Sequence, residues 1–576
     1  MGRREKPRLD TSVPPLLAFL AALIVAWSMS GAARAQQRPP ALPPSVPPDV
    51  RLEQLAPEEK PLQTAPEIPV PETAPSRAPA GAESVRLLFA GFQLEGAEAY
   101  PPGELRKIWQ GEVGREITLA RVYALAREVQ QRYRDDGYFL SRVIVPEQTV
   151  RDGLFRLRVL EGWIAQVTFE GEIGPAAGLI ASYFRPVTRQ KPIRLGTLER
   201  ALLLANDVPG IGATALLRSS ARELGAADLV VTLRRQRFAG FLAIDNYGDQ
   251  FTGEWEAGAG LSANSFTPVG EQTTVIGFSS EPWAEHYEAV GQVNGSWRLG
   301  ASGAYLEALG SYGDSNPGDD LEALDFDSKT LLLSGTGGYP VIRSRDINLT
   351  LRLGFDYINE DTDVFGGETF SRDRLRVLHS TIRADGRDPL GGATAGEISY
   401  RQGLPILDAT KRKDEDKSRE NGTGSAGLVR ASVARLQPLI RSFALYGDVA
   451  GQYAFDHLLS AEQFDVGGTT FGRGYDFSEI SGDHGVGTTI ELRYTWRPME
   501  DVPISLQPFG FYDFGRVWDR GVDEPETISS AGFGVRLAAY DAVTVEATMA
   551  KPLAADSQRA NGTRDPQFLF RTVGRF

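Results

Sequence analysis

The sequence predicts a membrane β-barrel of about 16 antiparallel strands, preceded by two α+β modules of β-α-α-β-β order and a proline-rich N-terminal linker. Three observations support this fold class. Residues 237–576 are rich in glycine and alternate apolar with polar side chains, which is the period of a β-strand. The predicted connections between these strands alternate between short and long. Ahead of them, one order of secondary structure occurs twice, which indicates a repeated module.

The composition excludes several classes of site. The 576 residues include no cysteine, which rules out disulfides, thiolate metal ligands and thiol chemistry. The net charge of −14 disfavours general binding of nucleic acid, which requires a basic face. The four histidines are well separated, match no zinc motif and have no Gly-x-Ser-x-Gly motif beside them. We therefore expect no catalytic residue, no cofactor, no metal and no enzyme activity.

Residues 1–35 have the features of a secretory signal peptide. A basic start precedes an apolar run from Leu16 to Trp27, and Ala33-Arg34-Ala35 forms a small-x-small cleavage site. A retained membrane anchor is the alternative, but this run is shorter than the ~20 apolar residues that a spanning helix needs. We expect cleavage before Gln36 and export of the mature chain.

Residues 36–83 form the predicted linker. Thirteen prolines punctuate this stretch, and proline blocks helix formation and favours extended polyproline geometry. The linker is interpreted either as a simple spacer or as a spacer that carries a mobile plug segment for the pore.

Two modules, residues 84–162 and 163–236, follow the linker. In the first, apolar spacing predicts a strand, two helices and two strands at Val85–Phe92, Pro102–Gln110, Thr118–Asp136, Phe139–Val145 and Phe155–Val159. In the second, the same order falls at Ile164–Phe169, Ala176–Phe184, Thr197–Asn206, Ala215–Arg218 and Leu229–Arg234. Each unit spans about 75 residues, so we predict one fold used twice.

Residues 237–576 are predicted to form the barrel. From Ile347 to Tyr357 the chain alternates, with Ile, Leu, Phe and Tyr on one face and Asn, Thr, Arg, Gly and Asp on the other. A soluble sandwich also alternates, but here aromatic residues cluster at the ends of the apolar faces, as interfacial girdles do. The carboxylates of Glu254, Glu288 and Glu491 fall on the polar face, which predicts a wet lumen.

The connections set the strand count. Short turns are predicted at Thr267–Glu271, Pro340–Arg345, Asp385–Gly392, Gln437–Ile440, Arg497–Pro503 and Tyr540–Ala542. Long loops are predicted at Gly313–Asp327, Asn359–Ser371, Asp408–Gly424, Asp456–Gly485 and Arg516–Ser529. Counting segments in this way gives about sixteen strands of ~10 residues, the length of a tilted bilayer crossing. An even count returns the C-terminus to the side of the two modules.

A glycine-rich stretch from Phe464 to Phe477 contains the candidate functional loop. Its centre reads Gly472-Arg473-Gly474-Tyr475, and a later strand carries Phe511-x-Asp513-x-Gly515. We predict that the loop folds back into the barrel and that Arg473 meets Asp513 on the wall. In bulk water this pair would contribute ~0–1 kcal/mol, whereas in a desolvated site the loss of one partner would cost ~3–5 kcal/mol. The alternative is a surface loop with a solvated arginine.

Further motifs lie in the first module and at both ends of the barrel. The module carries Gly137, Tyr138, Ser141, Pro146, Gln148 and Gly153, and the barrel begins with Asp245-Asn246-Tyr247-Gly248 and ends on Phe576. In this order and together with the two late motifs, they resemble the outer-membrane transporters of two-partner secretion. Those transporters are the partners of haemolysins and filamentous haemagglutinins. The resemblance covers residues 84–576.

The resemblance implies that the two modules are periplasmic POTRA domains and that the barrel is a pore. It also implies that Arg473, on an inward-folded loop, contacts the aspartate at position 513. The family often has valine before the Arg-Gly-Tyr motif, so Gly472 is expected to make this loop more flexible. Phe576 resembles the terminal aromatic residue that the outer-membrane barrel assembly machinery reads.

The expected function is export of a large, unfolded, haemolysin-like or adhesin-like partner protein across the outer membrane. The modules would capture the partner in the periplasm, most simply by strand addition to a sheet edge. The other expected partners are the barrel assembly machinery and outer-membrane lipid, and no nucleic acid. An insertase for other barrels, from the same superfamily, is the alternative. A passive porin would leave the two modules unexplained.

Overall fold

The computed structural model describes residues 77–576, apart from 173, 221–222, 224, 281–285, 499–501, 523, 556 and 558–561. The predicted signal peptide, residues 1–35, and the linker up to residue 76 lie outside the described residues. Within the described residues, no helix combines the length and the hydrophobicity that a bilayer crossing requires.

The first module is a small sheet covered by one long helix. Its elements are β1 (Arg86–Phe89), β2 (Gly91–Glu95), β3 (Arg115–Thr118), α1 (Leu119–Asp135), β4 (Arg142–Ile144) and β5 (Leu154–Leu160). The central strand β5 runs parallel to β2 and antiparallel to β4, while β1 pairs with β3. The helix α1 buries Val122, Leu125, Val129 and Tyr133 against this sheet.

Two predictions for this module were wrong. The strand predicted at Val85–Phe92 is divided into β1 and β2, because Gly91 has a φ of +133° that interrupts the extended backbone. The helix predicted at Pro102–Gln110 forms two short 3₁₀ turns, Leu105–Ile108 and Gln110–Glu112. These turns bury Leu105 and Trp109, so tertiary packing rather than an amphipathic α-helix organises the segment.

The second module repeats the arrangement of the first. Its elements are β6 (Trp163–Gly171), α2 (Ala177–Tyr183), α3 (Arg185–Arg189), α4 (Leu195–Asn206), β7 (Ile211–Ser219) and β8 (Ala226–Arg235). The last strand β8 is again central, parallel to β6 and antiparallel to β7. The sheet orders β2-β5-β4 and β6-β8-β7 are therefore equivalent, as expected of a repeated module.

The remaining strands belong to the barrel and to one of its loops. The strands are β9 (Phe238–Asp245), β10 (Glu256–Asn264), β11 (Gln272–Ser280), β12 (Tyr287–Leu299), β13 (Ala304–Asn316), β14 (Asp327–Arg343), β15 (Ile347–Val364), β16 (Glu368–Arg387), β17 (Ala393–Gly403), β18 (Gly427–Pro438), β19 (Phe443–Ala454), β20 (Phe464–Val466), β21 (Ile480–Gly482), β22 (His484–Tyr494), β23 (Ile504–Trp518), β24 (Glu526–Ala539), β25 (Val543–Pro552) and β26 (Gln567–Arg575).

Sixteen of these strands, counted over the described residues, form one closed antiparallel barrel. Each strand pairs with the next along the chain, and β26 pairs with β9 to complete the cylinder. The two short strands β20 and β21 pair only with each other in the connection from β19 to β22. The prediction of a sixteen-stranded antiparallel barrel is confirmed.

One predicted long loop is absent from the described barrel. The segment Asn359–Ser371 continues as strand on both sides, and only residues 365–367 separate β15 from β16. These two strands have 18 and 20 residues, far more than the ~10 that a tilted bilayer crossing needs, so the hairpin extends beyond the membrane. Sequence alternation alone could not separate spanning residues from protruding ones.

The two faces of the wall differ as expected for a barrel in lipid. Val293, Leu351 and Leu353 point outward and are each more than 40 % exposed in the isolated chain. Inward-facing polar residues such as Asn348, Asp356, Glu288 and Glu491 are buried. The prediction for Glu254 was wrong, because this residue lies ahead of β10 and is exposed.

The second module is attached to the short turns at one end of the barrel. Asp207, at the end of α4, accepts two hydrogen bonds from the guanidinium of Arg343, at 2.6 and 2.9 Å. Arg298 donates to the backbone carbonyl of Asp207 at 2.9 Å, and Arg200 donates to the carbonyl of Pro340 at 3.0 Å. These contacts place the module directly beneath the rim.

Candidate functional site

The candidate site is built on the connection between β19 and β22, residues 455–483, which we call the inward-folded loop. The β20–β21 hairpin carries the loop into the lumen. Residues of the loop pack against the inner faces of β23 and β24, where Val466, Phe471 and Tyr475 form one buried cluster with Val517 and Ile528. The loop therefore lies inside the barrel, as the sequence predicts, and is not a solvated surface loop.

Arg473 contacts Asp513 by three hydrogen bonds. Its Nη2 lies 2.8 Å from Asp513 Oδ1, and its Nε and backbone nitrogen each lie 3.0 Å from Asp513 Oδ2. Asp513 is completely buried and Arg473 is 6 % exposed. Thr489, on the neighbouring strand, donates to Asp513 at 2.6 Å and accepts from Arg473 at 2.8 Å. The pair is desolvated, so its loss leaves an uncompensated buried charge.

A second carboxylate, Glu491, also holds Arg473. Arg473 Nη1 lies 2.5 Å from Glu491 Oε1. The same carboxylate accepts from Arg493 at 2.7 Å and from Arg536 at 3.0 Å, and Arg536 binds Glu546 at 2.7 Å. Three guanidinium groups thus face the carboxylates of Asp513, Glu491 and Glu546, and this network is balanced in charge.

The sequence motifs did not single out Glu491 as a partner of Arg473. The signal that could have found it is the register of β22 and β23. Thr489 and Glu491 of β22 lie opposite Asp513 and Phe511 of β23, so they share the inward face of the barrel wall with the motif residues. Only the pairing of the two strands reveals this arrangement, and pairing register cannot be read from one strand alone.

Phe511 forms the floor beneath Arg473. The guanidinium carbon lies 3.6 Å from the centroid of the Phe511 ring, the geometry of a cation–π contact. Arg536 lies in the same way over Phe509, at 4.0 Å. The aromatic faces shield the arginines from water on the side that carries no carboxylate.

Gly515 completes the motif on β23 by leaving space for the loop. A Cβ at this position would lie 2.0 Å from Val466 Cγ1, which no structure tolerates without movement. Gly487 lies opposite Gly515 on β22, and its Cβ would meet the ring of Phe471 at 2.4 Å. Two glycines that face each other across neighbouring strands thus form the recess in which the loop packs.

The loop residues beside Arg473 are fixed by their surroundings. Gly472 has a φ of +130°, a conformation that residues with a side chain rarely adopt. The added flexibility expected of it stays a prediction. Gly474 packs against Pro552, where a Cβ would lie 2.9 Å from the proline nitrogen. The Tyr475 hydroxyl lies 3.1 Å from the carbonyls of Ser529 and Ala555.

A second part of the wall, from β14 to β17, also holds the loop. Glu462 is buried and accepts two hydrogen bonds from Arg401 of β17, at 2.7 and 3.0 Å. Leu459 is fully buried among inward-facing residues of β14, β15 and β16, including Leu332 and Ile358. The loop therefore contacts the wall at β14 to β17 and at β23 and β24, while its two ends follow the neighbouring strands β19 and β22.

Two of the module motif residues lie at the junction between the modules. Gly137 has a φ of +85° after α1, and its carbonyl accepts from the backbone nitrogen of Leu195 at 2.8 Å. Tyr138 is buried, and Arg194 donates to its hydroxyl at 2.8 Å while lying over its ring. These residues attach the first module to the start of α4.

The other motif residues stabilise the first module from within. Gln148 donates to the carbonyl of Arg156 at 2.9 Å and accepts from its nitrogen at 2.7 Å. This side chain thus continues the pairing of β5 past Pro146, which has no N–H to donate. Ser141 accepts from Gly162 at 3.3 Å, and a Cβ on Gly153 would meet the carbonyl oxygen of Leu88 at 2.0 Å.

Phe576 lies at the seam where the barrel closes. Its backbone nitrogen and carbonyl bond to Gly240 of β9, at 3.0 and 2.9 Å. The ring covers Gly240 and is 67 % exposed in the isolated chain. Within the described residues, no group of three histidine or acidic side chains is placed to hold a metal ion.

Comparison with known proteins agrees with this arrangement. The heme/hemopexin transporter protein HuxB of Haemophilus influenzae is 23 % identical over 466 residues, which cover 78 % of this chain and 80 % of HuxB. The outer membrane transporter CdiB of Dickeya dadantii is 24 % identical over 403 residues, 67 % of this chain and 68 % of CdiB. The solved structure of CdiB from Escherichia coli superposes with a TM-score of 0.72 at 21 % identity, covering 89 % of this chain and 94 % of that one.

Two family models match the sequence. The model of ShlB-type POTRA domains matches residues 87–162. The model of the haemolysin secretion/activation proteins matches residues 225–537, which are more than half of the chain and include the whole inward-folded loop with its Arg473 contacts. The chain therefore belongs to the ShlB/FhaC/HecB family of haemolysin secretion/activation proteins.

Proposed function

We propose that this chain exports one large, unfolded partner protein through its barrel and that displacement of the inward-folded loop is the gating step. The protein is an outer-membrane transporter of the two-partner secretion type, with its POTRA domains in the periplasm. The observation that carries the gating proposal is the buried contact of Arg473 with Asp513 and Glu491. This contact holds a loop that crosses the lumen from wall to wall.

Passage of a polypeptide requires this loop to move. Leu459 packs against β14 to β16 and Phe471 packs against β23 and β24, so the loop occupies the lumen between these parts of the wall. The contacts of Arg473 are charge-assisted and converge on one side chain, so displacement of that side chain releases them together. Glycines on β22 and β23 give the loop a defined recess to which it can return.

Capture of the partner is proposed for the second module. Its sheet has the order β6-β8-β7, so β6 and β7 are its edges. Strand addition to an edge uses backbone hydrogen bonds and therefore accepts many sequences. Because the module is attached beneath the rim through Asp207, a segment bound there lies close to the entrance of the barrel.

Two further partners belong to this proposal. The exposed terminal Phe576 on the closing strand is proposed as the signal for the outer-membrane barrel assembly machinery. The outward apolar side chains, among them Leu353 and Phe533, are proposed to contact outer-membrane lipid. No enzymatic step is proposed.

The deciding experiment compares cells with and without this gene product. Mass spectrometry of the culture supernatant should show the loss of one large exported protein, while the abundance of other outer-membrane barrels stays unchanged. A general fall in outer-membrane barrels, with the supernatant otherwise intact, would refute dedicated export. That result would establish the insertase function instead.

A further inference from the structure

The connection between β17 and β18, residues 404–426, lies over the outer end of the inward-folded loop, and we call it the outer cap. We propose that Arg419 of the outer cap and Asp483 of the inward-folded loop form a second, outer lock, which must separate before the partner protein can leave the barrel. This inference rests on the proposed function. It adds a positioning pair that shares no residue with the Arg473 network.

Asp483 is the centre of this outer lock. It is completely buried, and its Oδ1 lies 2.5 Å from Arg419 Nη1 and 3.0 Å from the backbone nitrogen of Leu458. Its Oδ2 accepts from the backbone nitrogen of Arg520 at 3.0 Å and lies 3.3 Å from His457 Nδ1. One carboxylate therefore joins the outer cap, both ends of the inward-folded loop and the connection after β23.

The charge of Asp483 is maintained by these partners. Burial alone would raise the pKa of this carboxyl, but the hydrogen bond and positive charge of Arg419, together with the backbone N–H groups of Arg520 and Leu458, hold the pKa below its ordinary value. A buried carboxylate that stays ionised needs its cation in place. Removal of the Arg419 charge therefore removes the main counter-charge of the site.

Arg419 makes contacts on three sides. In addition to its contact with Asp483, Arg419 has its Nη2 2.7 Å from Asp519 of the connection after β23. Its Nη1 also donates to the backbone carbonyl of Leu458 at 2.8 Å, at the start of the inward-folded loop. A planar guanidinium can make these contacts at once, whereas the point charge of lysine cannot.

The neighbouring residue Ser418 connects the outer cap to the same loop. Its hydroxyl donates to Asp373 of β16 and accepts from the backbone nitrogen of Ser460 at 3.0 Å. The inward-folded loop cannot leave the lumen toward the outside while Ser460 and Leu458 remain bound to the outer cap. We call the contacts of Arg473 with Asp513 and Glu491 the inner lock. The inner lock and the outer lock must both separate before the loop can leave the lumen.

A reversible cross-link between the two segments tests this inference. The chain has no cysteine, so Ser418→Cys with Ser460→Cys introduces a unique pair. A short bis-methanethiosulfonate reagent joins the pair without requiring ideal disulfide geometry, and a reductant releases it. We expect the cross-linked protein to lose the secretion that the same double variant has before the reagent is added, and the reductant to restore it. Each single-cysteine variant, treated with the reagent, should keep the secretion that it has without the reagent.

Secretion that continues at the normal rate from fully cross-linked protein would overturn the outer lock. That outcome is distinguishable from failure of the proposed function, because in the latter case the unmodified protein would export no partner either. Barrel abundance and heat-modifiable migration on gels verify that each variant is folded.

A second arm uses single-channel recordings of the purified full-length protein. Arg419→Gln should raise the fraction of time in the open state by about tenfold, the factor expected from loss of one hydrogen-bonded charge. The open fraction of Arg419→Lys should fall between those of the native protein and Arg419→Gln, because lysine keeps the positive charge but lacks the planar guanidinium. Arg412→Gln is the matched control, since Arg412 of the same cap also pairs with the inward-folded loop, at Asp456, but in an exposed bridge. An open fraction equal in Arg419→Gln and the native protein would contradict the proposal.

Discussion

Val466 of the inward-folded loop packs against Gly515 of β23 so closely that a Cβ on Gly515 would lie 2.0 Å from Val466 Cγ1. The two residues are 49 positions apart and lie on a loop and on the wall that receives it. The recess beside Asp513 therefore helps the Asp513 carboxylate to hold the inward-folded loop in place. Shape and charge together determine where the loop rests.

Gly515→Ala should release the loop without removing any charge. The added methyl group displaces Val466, and overpacking of this kind costs ~1–3 kcal/mol. We expect a higher open fraction in single-channel recordings, with normal barrel abundance. Gly510→Ala is the matched control on the same strand, because its Cβ would meet nothing closer than a carbonyl oxygen at 3.8 Å. Equal open fractions for the two variants would refute the role of the recess.

Arg473→Ala should lower secretion of the partner while the barrel remains at normal abundance. The variant leaves Asp513 buried without its cation, a loss that costs ~3–5 kcal/mol in a desolvated site. The loop then has no single resting position, so export falls and channel openings become frequent. Arg473→Lys should not restore secretion, because lysine cannot bond Asp513, Thr489 and Glu491 together.

The matched control for that variant is Arg352→Ala. Arg352 also faces the lumen and binds one carboxylate, Glu307, at 2.9 Å, but both side chains are about a third exposed. We expect this variant to secrete normally. Intact secretion by Arg473→Ala at normal barrel abundance would show that the inner lock is dispensable.

The sequence predicted the barrel and the Arg473–Asp513 contact for different reasons. Alternation of apolar and polar residues identified the strands, and the alternation of short and long connections set their count at about sixteen without exact strand ends. The contact came from a family resemblance and from charges that need a partner. Alternation and the charged, glycine-rich motifs can each be recognised within a single segment of the sequence.

What the sequence missed depends on pairs of segments. Glu491 looked like any inward carboxylate, and only the register of β22 against β23 places it beside Arg473. The sequence did not show that Gly472 takes a φ of +130° beside Ile528, and the flexibility expected of it stays a prediction. The segment Pro102–Gln110 has a helical pattern that packing of Trp109 overrides. Register, backbone strain and tertiary packing are not local properties.

Glu491→Gln should destabilise the barrel wall as well as the loop. The substitution removes one charge from a network that also contains Arg473, Arg493 and Arg536, so buried positive charge is left in excess. We expect a lower temperature for loss of heat-modifiable migration and a higher open fraction. Glu307→Gln, in the pair with Arg352 whose side chains are about a third exposed, should change neither quantity. An unchanged unfolding temperature in Glu491→Gln would contradict the network.

Asp207→Asn and Arg343→Gln should each loosen the second module from the rim. Their contact is bidentate and partly buried, and hydrogen bonds to charged groups contribute ~1.5–3 kcal/mol. With cysteines at Gly196 and Leu390 carrying spin labels, the distance distribution between module and barrel should broaden in both variants. The double variant should be no broader than either single variant, because both remove the same contact.

Glu172→Gln provides the comparison for this last experiment. Glu172 pairs with Arg237 at the same junction, but both side chains are about half exposed, and such pairs contribute ~0–1 kcal/mol. The distribution should stay narrow in this variant. If Asp207→Asn also left the distribution narrow, other contacts, such as that of Arg298 with the Asp207 carbonyl, would have to hold the module. Capture of the partner beneath the rim would then not depend on the Asp207–Arg343 pair.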